Sequence, residues 1–228
     1  MTDAMESKTV SAHDGEEGGK KYLDSQHDLM RFGGWVNRTK FEPYIKTTDT
    51  VLDFGCGAGY LLEQLVCREK LGVEVNPHAI PLAQAKGITV FTRTEDAPTC
   101  SVDVVVSNHA LEHTKRPLDE VSDLLRVLKP GGLLVIVVPC ESIERVFNPK
   151  DINHHLYTWS PMNLGHLLLE AGYQVLDVAP YRHKWPPQYQ RIAKYGGRAL
   201  FDVLGTLWSY CSREVGQIRA VAQRNPNL

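Results

Sequence analysis

The sequence lacks the signals of a membrane protein and of a disulfide-stabilised scaffold. Its five cysteines are an odd number and contain no CxxC pair, which supports neither a disulfide framework nor a thiolate zinc site. The longest uninterrupted apolar run, Leu133 to Pro139, is far too short to cross a bilayer. The N-terminus is acidic and has no apolar core of the kind found in signal peptides. These absences predict a cytoplasmic protein with no membrane partner.

The sequence also lacks an excess of positive charge. The formal net charge of the 228 residues is -2, so no strong positive field gathers phosphates, and no nucleic-acid partner is expected. Residues 1–20 are polar and rich in Gly, Glu, Ser and Lys, which predicts a disordered tail. Because 43% of the chain is apolar, residues 21–228 can form a single domain with one core.

Strand-like and helix-like segments alternate along the rest of the chain. Apolar, mainly β-branched runs predict strands at residues 50–54, 70–75, 88–91, 102–107, 133–138, 173–179 and 217–223. Helical spacing of apolar residues predicts helices between them. This order predicts an α/β fold with a doubly wound, mostly parallel, seven-stranded sheet and helices on both faces. A helical cap at about 22–40 and an insertion at about 181–215 lie outside the repeat.

A glycine-rich turn, Asp53-Phe54-Gly55-Cys56-Gly57-Ala58-Gly59, follows the first predicted strand. In a doubly wound sheet the ligand lies at this turn, where glycine allows the backbone to approach it closely. Glu74 follows Gly55 by 19 residues and can accept hydrogen bonds from the two hydroxyls of an adenosine ribose. A dinucleotide fingerprint would need glycine at position 60, where this chain has Tyr60. The D-x-G-x-G-x-G pattern therefore favours a ligand that brings a carboxylate, not a pyrophosphate.

Four segments in order resemble the successive motifs of class I S-adenosylmethionine-dependent methyltransferases. They are VLDFGCGAGY (51–60), GVEVN (72–76), DVVVSNHALEH (103–113) and LKPGGLLVIVVP (128–139). The resemblance implies S-adenosyl-L-methionine as the cofactor, with Gly55 and Gly57 facing its methionine part. It also implies that Asp53 orients the cofactor's ammonium and that Glu74 holds its ribose. The remaining residues that we assign to the cofactor are Cys56, Gly59, Val75, Glu95, Asp96, Asn108 and His109.

The motifs leave the adenine contact open. Relatives often have an acidic residue just before the segment that corresponds to Thr94–Pro98, whereas this chain has Arg93 at that position. We therefore expect Glu95, Asp96 or the backbone to contact the adenine of the cofactor.

Methyl transfer to a hydroxyl or amine needs a proton acceptor, and the sequence offers histidines in two loops. His109 and His113 follow the fourth predicted strand, and His154 and His155 follow the fifth. Imidazole is the side chain best suited to this role near neutral pH. We predict that His113, His154 and His155 are catalytic and that the site holds no metal. A second interpretation makes Glu112, His113 and one of His154 and His155 nitrogen and oxygen ligands of a metal ion.

Missing motifs narrow the choice of acceptor. The N/D-P-P-Y segment of enzymes that methylate adenine or glutamine amines is replaced by Ser107–Ala110. Pro139-Cys140 follows the fifth predicted strand, but the Pro-Cys that cytosine C5 methyltransferases have after the fourth strand is missing. The expected function is methyl transfer to a small molecule, at a hydroxyl oxygen, by a monomer or homodimer. The alternatives are a protein or RNA methyltransferase and a methyltransferase-like binding protein without turnover.

Overall fold

Within the part of the chain that the structure describes, seven strands form a mostly parallel sheet with helices between them, as the sequence predicts. The computed structural model describes residues 29–142, 144–149, 151, 153–212 and 216–227, so the predicted tail at 1–20 lies outside these ranges. The described residues divide into two compact units, one that ends at residue 98 and one that begins at residue 99. Among the helices of the described ranges, none is long and apolar enough to cross a membrane.

The first unit contains helix α1 and a three-stranded parallel part of the sheet. Its elements are α1 (29–37), β1 (Thr50–Phe54), α2 (Tyr60–Gln64), β2 (Glu69–Val73), α3 (Ile80–Gln84) and β3 (Thr89–Phe91). The strand order is β3-β2-β1. All five residues of β1 are buried, which accounts for its nearly continuous apolar sequence.

The start of α3 differs from the prediction. The sequence places Pro77 at the first helical position, but α3 begins at Ile80 and has Pro81 in its first turn. The Asn76 side chain accepts a hydrogen bond from the His78 N–H at 3.0 Å. This local bond holds residues 76–78 in a turn and delays the helix.

The second unit contains four strands and three helices. They are β4 (Val102–Asn108), α4 (Pro117–Val127), β5 (Leu128–Pro139), α5 (Pro161–Glu170), β6 (Gln174–Tyr181), α6 (Tyr189–Cys211) and β7 (Gln217–Gln223). β4 and β5 are parallel, whereas β7 is antiparallel to both β5 and β6. β6 and β7 therefore pair with each other although a helical insertion separates them in the sequence.

The boundary between α4 and β5 also differs from the prediction. The sequence extends the helix through Lys129 to the Pro130–Gly132 segment, but α4 ends at Val127 and Leu128 already belongs to β5. The Lys129 ammonium lies 2.7 Å from the Asp103 carboxylate of β4. Lys129 thus pairs with a neighbouring strand and not with the end of a helix.

Candidate cofactor and catalytic sites

The glycine turn after β1 is built from left-handed backbone conformations. Gly55, Gly57 and Gly59 have φ values of 77°, 54° and 77°, which favour glycine. The Gly55 N–H donates to the Val73 carbonyl at 2.9 Å and so joins the turn to β2. A Cβ atom on Gly57 would meet no atom within 4 Å, whereas one on Gly59 would lie 2.4 Å from Ile88 Cδ1. Gly57 therefore leaves space for a ligand, and Gly59 allows close packing.

The Glu74 carboxylate lies against this turn. Its Oε2 accepts a hydrogen bond from the Gly57 N–H at 2.7 Å, and its Oε1 accepts one from the Asn76 N–H at 2.7 Å. Hydrogen bonds to a charged acceptor are stronger than those between neutral groups. The structure thus brings Glu74 to the turn, and its contact with a ribose stays a prediction.

Asp53 is a buried acid with an unusual environment. The residue is 3% exposed, and within the described ranges no hydrogen bond or ion pair to its carboxylate is found. Burial raises the pKa of Asp53 well above its ordinary value, and the negative charge of Glu74 raises it further. A buried carboxylate without a cation is costly as an anion. The ammonium of S-adenosylmethionine would supply the missing positive charge, so the residue fits this cofactor.

The first unit also contains four further residues predicted to bind the cofactor. Cys56 is buried, and burial raises the pKa of its thiol, helped by the negative charges of nearby acids, so the thiol stays protonated. Val75 is 53% exposed and lies two residues after the end of β2. Glu95 forms an ion pair with Arg93, and Asp96 is exposed. Arg93, which replaces the acidic residue of the family pattern, thus pairs with Glu95, one of the two side chains that we consider for the adenine contact.

The second unit brings Glu112, His113 and His155 together. One candidate ligand atom from each of the three lies within 4.8 Å of the others. Glu112 is fully buried, and its Oε1 lies 4.0 Å from His155 Nε2. The rings of His113 and His155 meet edge to face with centroids 5.0 Å apart. The Leu156 N–H donates to the Glu112 carbonyl at 2.9 Å, so the two loops that carry the cluster are hydrogen-bonded to each other.

Glu141 orients His155, and the sequence interpretation did not include it. His155 Nδ1 lies 3.0 Å from Glu141 Oε1. Because the carboxylate accepts, Nδ1 donates this hydrogen bond, and Nε2 lies on the side of Glu112. Glu141 also pairs with Arg145 and donates its backbone N–H to Thr158 Oγ1 at 2.8 Å. The available signal was its position directly after β5, at the same end of the strand as the predicted bases.

The other residues predicted in this unit lie beside the cluster or outside it. Asn108 ends β4, and His109 follows with a left-handed φ of 57°. His109 Nδ1 lies 3.2 Å from Glu112 Oε1, and its Nε2 lies 3.4 Å from Gln217 Oε1. His154 is exposed and does not belong to the cluster. Of the three predicted catalytic histidines, the structure therefore brings together His113 and His155.

Comparison with known proteins supports the resemblance. Residues 26–178 match the family model described as methyltransferase domain. The chain is 32% identical over 111 residues to the ubiquinone biosynthesis O-methyltransferase of Cereibacter sphaeroides, which covers 44% of this chain and 42% of the relative. It is 31% identical over 147 residues to the tRNA U34 carboxymethyltransferase of Hydrogenovibrio crunogenus, which covers 54% of this chain and 44% of the relative. The chain thus spans less than half the length of these curated relatives.

A solved structure shares the fold. Phosphoethanolamine N-methyltransferase 2 of Haemonchus contortus, in complex with S-adenosyl-L-methionine, superposes with a TM-score of 0.64 at 18% identity. The superposition covers 96% of this chain and 61% of that chain. The family model extends over more than half of the present chain. The chain therefore belongs to the class I methyltransferases, which use S-adenosylmethionine as their cofactor.

Proposed function

We propose that the protein transfers the methyl group of S-adenosylmethionine to a hydroxyl oxygen of a small molecule. The observation that carries this proposal is the buried Asp53 carboxylate beside a glycine turn whose Gly57 borders open space. When bound, S-adenosylmethionine supplies an electrophilic methyl group whose bond to sulfur breaks as the acceptor bond forms. Asp53 and Glu74 hold the donor, and the costly burial of the Asp53 carboxylate is expected of a chain that binds the cofactor's ammonium.

Oxygen is the acceptor atom that the second unit favours. A hydroxyl has to lose its proton during transfer, and the cluster of Glu112, His113 and His155 is suited to withdraw it. The O-methyltransferase among the relatives supports the same acceptor atom. We retain His154 as a predicted contributor because it adjoins the cluster residue His155 in the sequence.

The first unit also has an open surface pocket in which we place a small acceptor. This pocket has a volume of about 420 Å³, which is enough for a small molecule. Its lining residues are Arg31, Trp35, Tyr60, Glu63, Gln64 and Lys86. We propose that the substrate is recognised by the two additions to the common core, the segment 22–40 and the insertion 181–215. We also propose that residues 21–228 form a single domain.

RNA is the second candidate acceptor. One relative is named a tRNA U34 carboxymethyltransferase, which favours this alternative. The net charge of -2 favours a small molecule, because phosphate binding relies on positive charge.

The five cysteines are all free, which fits the reducing cytoplasm that we propose as the location.

Release of S-adenosylhomocysteine tests the proposed function. We expect turnover with members of a panel of small hydroxyl compounds, and none with matched amines or with unmodified tRNA. Glu74→Ala and His154→Ala serve as variants of the cofactor site and of the predicted base. Turnover on tRNA alone would establish the second candidate. Absence of S-adenosylmethionine binding in calorimetry would contradict both.

Alanine at Gly57 and at Gly87 should separate ligand binding from backbone strain. Both residues have positive φ values, 54° and 77°, and a Cβ on either would meet no atom within 4 Å. Each substitution should cost about 1–2 kcal/mol of folding free energy. Gly57→Ala alone should weaken S-adenosylmethionine binding, by about 10-fold or more, because its methyl group enters the space next to Glu74. Calorimetric titration and thermal unfolding measure the two effects, and equal affinities would contradict the assignment of Gly57.

A further inference from the structure

We propose that helix α6 docks on the surface of a membrane that contains anionic lipids. One side of the helix is apolar and exposed, and we call its residues the outer face. They are Leu200, Val203, Leu207 and Tyr210, which are 46%, 55%, 57% and 62% exposed. Because they are three or four residues apart, they share one side of α6. Single exposed apolar residues are ordinary, whereas a contiguous row of them marks an interaction site.

The opposite side of α6 is buried, which fixes the direction of the outer face. Its buried residues are spaced four apart and are Phe201, Gly205 and Ser209. A Cβ on Gly205 would lie 2.8 Å from His183 Nε2, so the helix lies directly against the segment after β6. Asp202 is the one charged residue among positions 199–211, and it pairs with Arg198 at 2.9 Å. The outer face therefore contains no charged side chain.

Positive charge beside the outer face indicates what covers it. Residues 178–201 include five Lys and Arg and no acidic residue, although the whole chain has a net charge of -2. The Arg182 guanidinium lies 4.9 Å from the centre of the Tyr210 ring, so one of these cations borders the outer face. Lys184 lies along the same helix, because its N–H donates to the Gly205 carbonyl at 3.2 Å. An apolar surface bordered by cations is complementary to a bilayer surface with anionic headgroups.

The two parts of α6 together have the composition of a helix that lies in a membrane interface. Gly197, with a φ of 65°, interrupts the helix between a basic part and an apolar part. The basic part exposes Arg191, Lys194 and Tyr195 at helical spacing. In the apolar part, Trp208 is also exposed. Tyr and Trp are enriched at the level of the headgroups, and Lys and Arg bind anionic ones.

Two other occupants fit the outer face less well. A second copy of the chain, related by a twofold axis, would bring the cations of both copies to one interface, where they repel each other. RNA would use the cations but not Leu200, Val203 and Leu207, because aliphatic side chains neither bind phosphates nor form the aromatic stacks that hold bases. An anionic bilayer uses both the charged and the apolar side chains.

Surface binding is compatible with the other properties of the chain. The expectation of no membrane partner rested on the lack of a spanning segment, and binding at the surface needs none. Substrate recognition by the insertion 181–215 falls to residues outside the outer face. The proposal does not rest on the proposed function, because lipid binding is measured without cofactor or acceptor.

Co-sedimentation of the full chain with lipid vesicles tests the proposal. We expect binding to vesicles of phosphatidylglycerol and phosphatidylcholine, and binding at least about 10-fold weaker to phosphatidylcholine alone or at high salt. Leu207→Gln should weaken binding by about 10-fold, because it removes apolar surface that enters the bilayer. Arg191→Gln combined with Lys194→Gln should weaken it by about 30-fold. Leu169→Gln is the matched control, since Leu169 is 56% exposed on α5, and it should leave binding unchanged.

Two results would overturn membrane docking. One is a wild-type protein that stays in the supernatant with phosphatidylglycerol vesicles, and the other is equal vesicle binding by Leu207→Gln and Leu169→Gln. If the vesicles are not bound, a dimer in sedimentation velocity that Leu207→Gln dissociates would assign the outer face to a second copy. Binding of an RNA oligonucleotide that Arg191→Gln with Lys194→Gln abolishes would assign the cations to RNA. Circular dichroism and S-adenosylmethionine binding show that the variants are folded.

Discussion

Asp53→Asn is expected to lower the affinity for S-adenosylmethionine by about 100-fold or more while making the free protein more stable. Removing one partner of a buried ion pair costs about 3–5 kcal/mol, and about 1.4 kcal/mol corresponds to a factor of ten. Asparagine keeps the size of the side chain but cannot neutralise the cofactor's ammonium. Calorimetric titration measures the affinity, and differential scanning calorimetry measures the stability. The opposite signs of the two effects distinguish this residue from a merely structural one.

The stability gain follows from the raised pKa of Asp53. Burial, and then the charge of Glu74, raise this pKa in the folded state. The folded state therefore favours the protonated acid, and the resulting stability is lost as the pH rises from the ordinary pKa of an aspartate through the raised value. Near neutral pH, Asp53→Asn removes this cost, and each kcal/mol gained raises the melting temperature by about 2–4 °C. The gain should shrink at acidic pH, where Asp53 is protonated in both states.

Asp49→Asn is a matched control in the same unit. Asp49 is also buried, but its Oδ2 accepts a hydrogen bond from the Lys46 N–H at 2.8 Å. Asparagine can still accept this bond, so neither the cofactor affinity nor the stability should rise or fall strongly. Wild-type affinity in Asp53→Asn would show that Asp53 does not bind the ammonium. A loss of stability in that variant would show that the carboxylate has a stabilising partner.

The elements that the sequence predicts to the residue are two strands rich in buried apolar residues. Both β1 and β7 have the predicted bounds: all five residues of β1 are buried, and in β7 the apolar residues are buried and the polar ones are partly exposed. Such a run leaves a signal in the sequence that needs no knowledge of the strand's partners. The end of α4 could not be predicted in this way. Leu128 continues the helical spacing of Leu124, but it pairs with Val102 of the neighbouring strand. Strand pairing overrides the local pattern there.

The candidate site was predictable only where it is local in sequence. The glycine turn and Glu74 belong to one strand–turn–helix–strand unit whose geometry is common to the fold. The Glu112 cluster depends on loops after two different strands, and spacing along the chain does not show which side chains converge. His154 and His155 are neighbours in sequence with the same chemistry, and only the folded loop shows that His155 turns toward Glu112. Glu141 is part of the site only through its contact with that histidine.

The glycines of the turn do not all have the same role, and Gly59 is the example. We expect Gly59→Ala to be more destabilising than Gly57→Ala. The sequence places Gly59 with the cofactor residues, but its Cβ would lie 2.4 Å from Ile88 Cδ1 and 3.2 Å from Ala83 Cα, with φ at +77°. Left-handed strain, an off-rotamer Ile88 and overpacking together cost about 3 kcal/mol. The melting temperature should fall by about 6–12 °C.

Gly87→Ala and Ile88→Val separate the two causes of this loss. Gly87 has the same φ of 77°, and a Cβ there would meet no atom within 4 Å, so its alanine variant reports left-handed strain alone. Ile88→Val removes the clashing Cδ1, so in a double-mutant cycle it should recover part of the stability that Gly59→Ala loses. Equal melting temperatures for Gly59→Ala and Gly87→Ala would contradict the packing role. If Gly59 has no packing role, we would again assign it to the residues that bind the cofactor. Gly59→Ala should then lose S-adenosylmethionine affinity, as Gly57→Ala does.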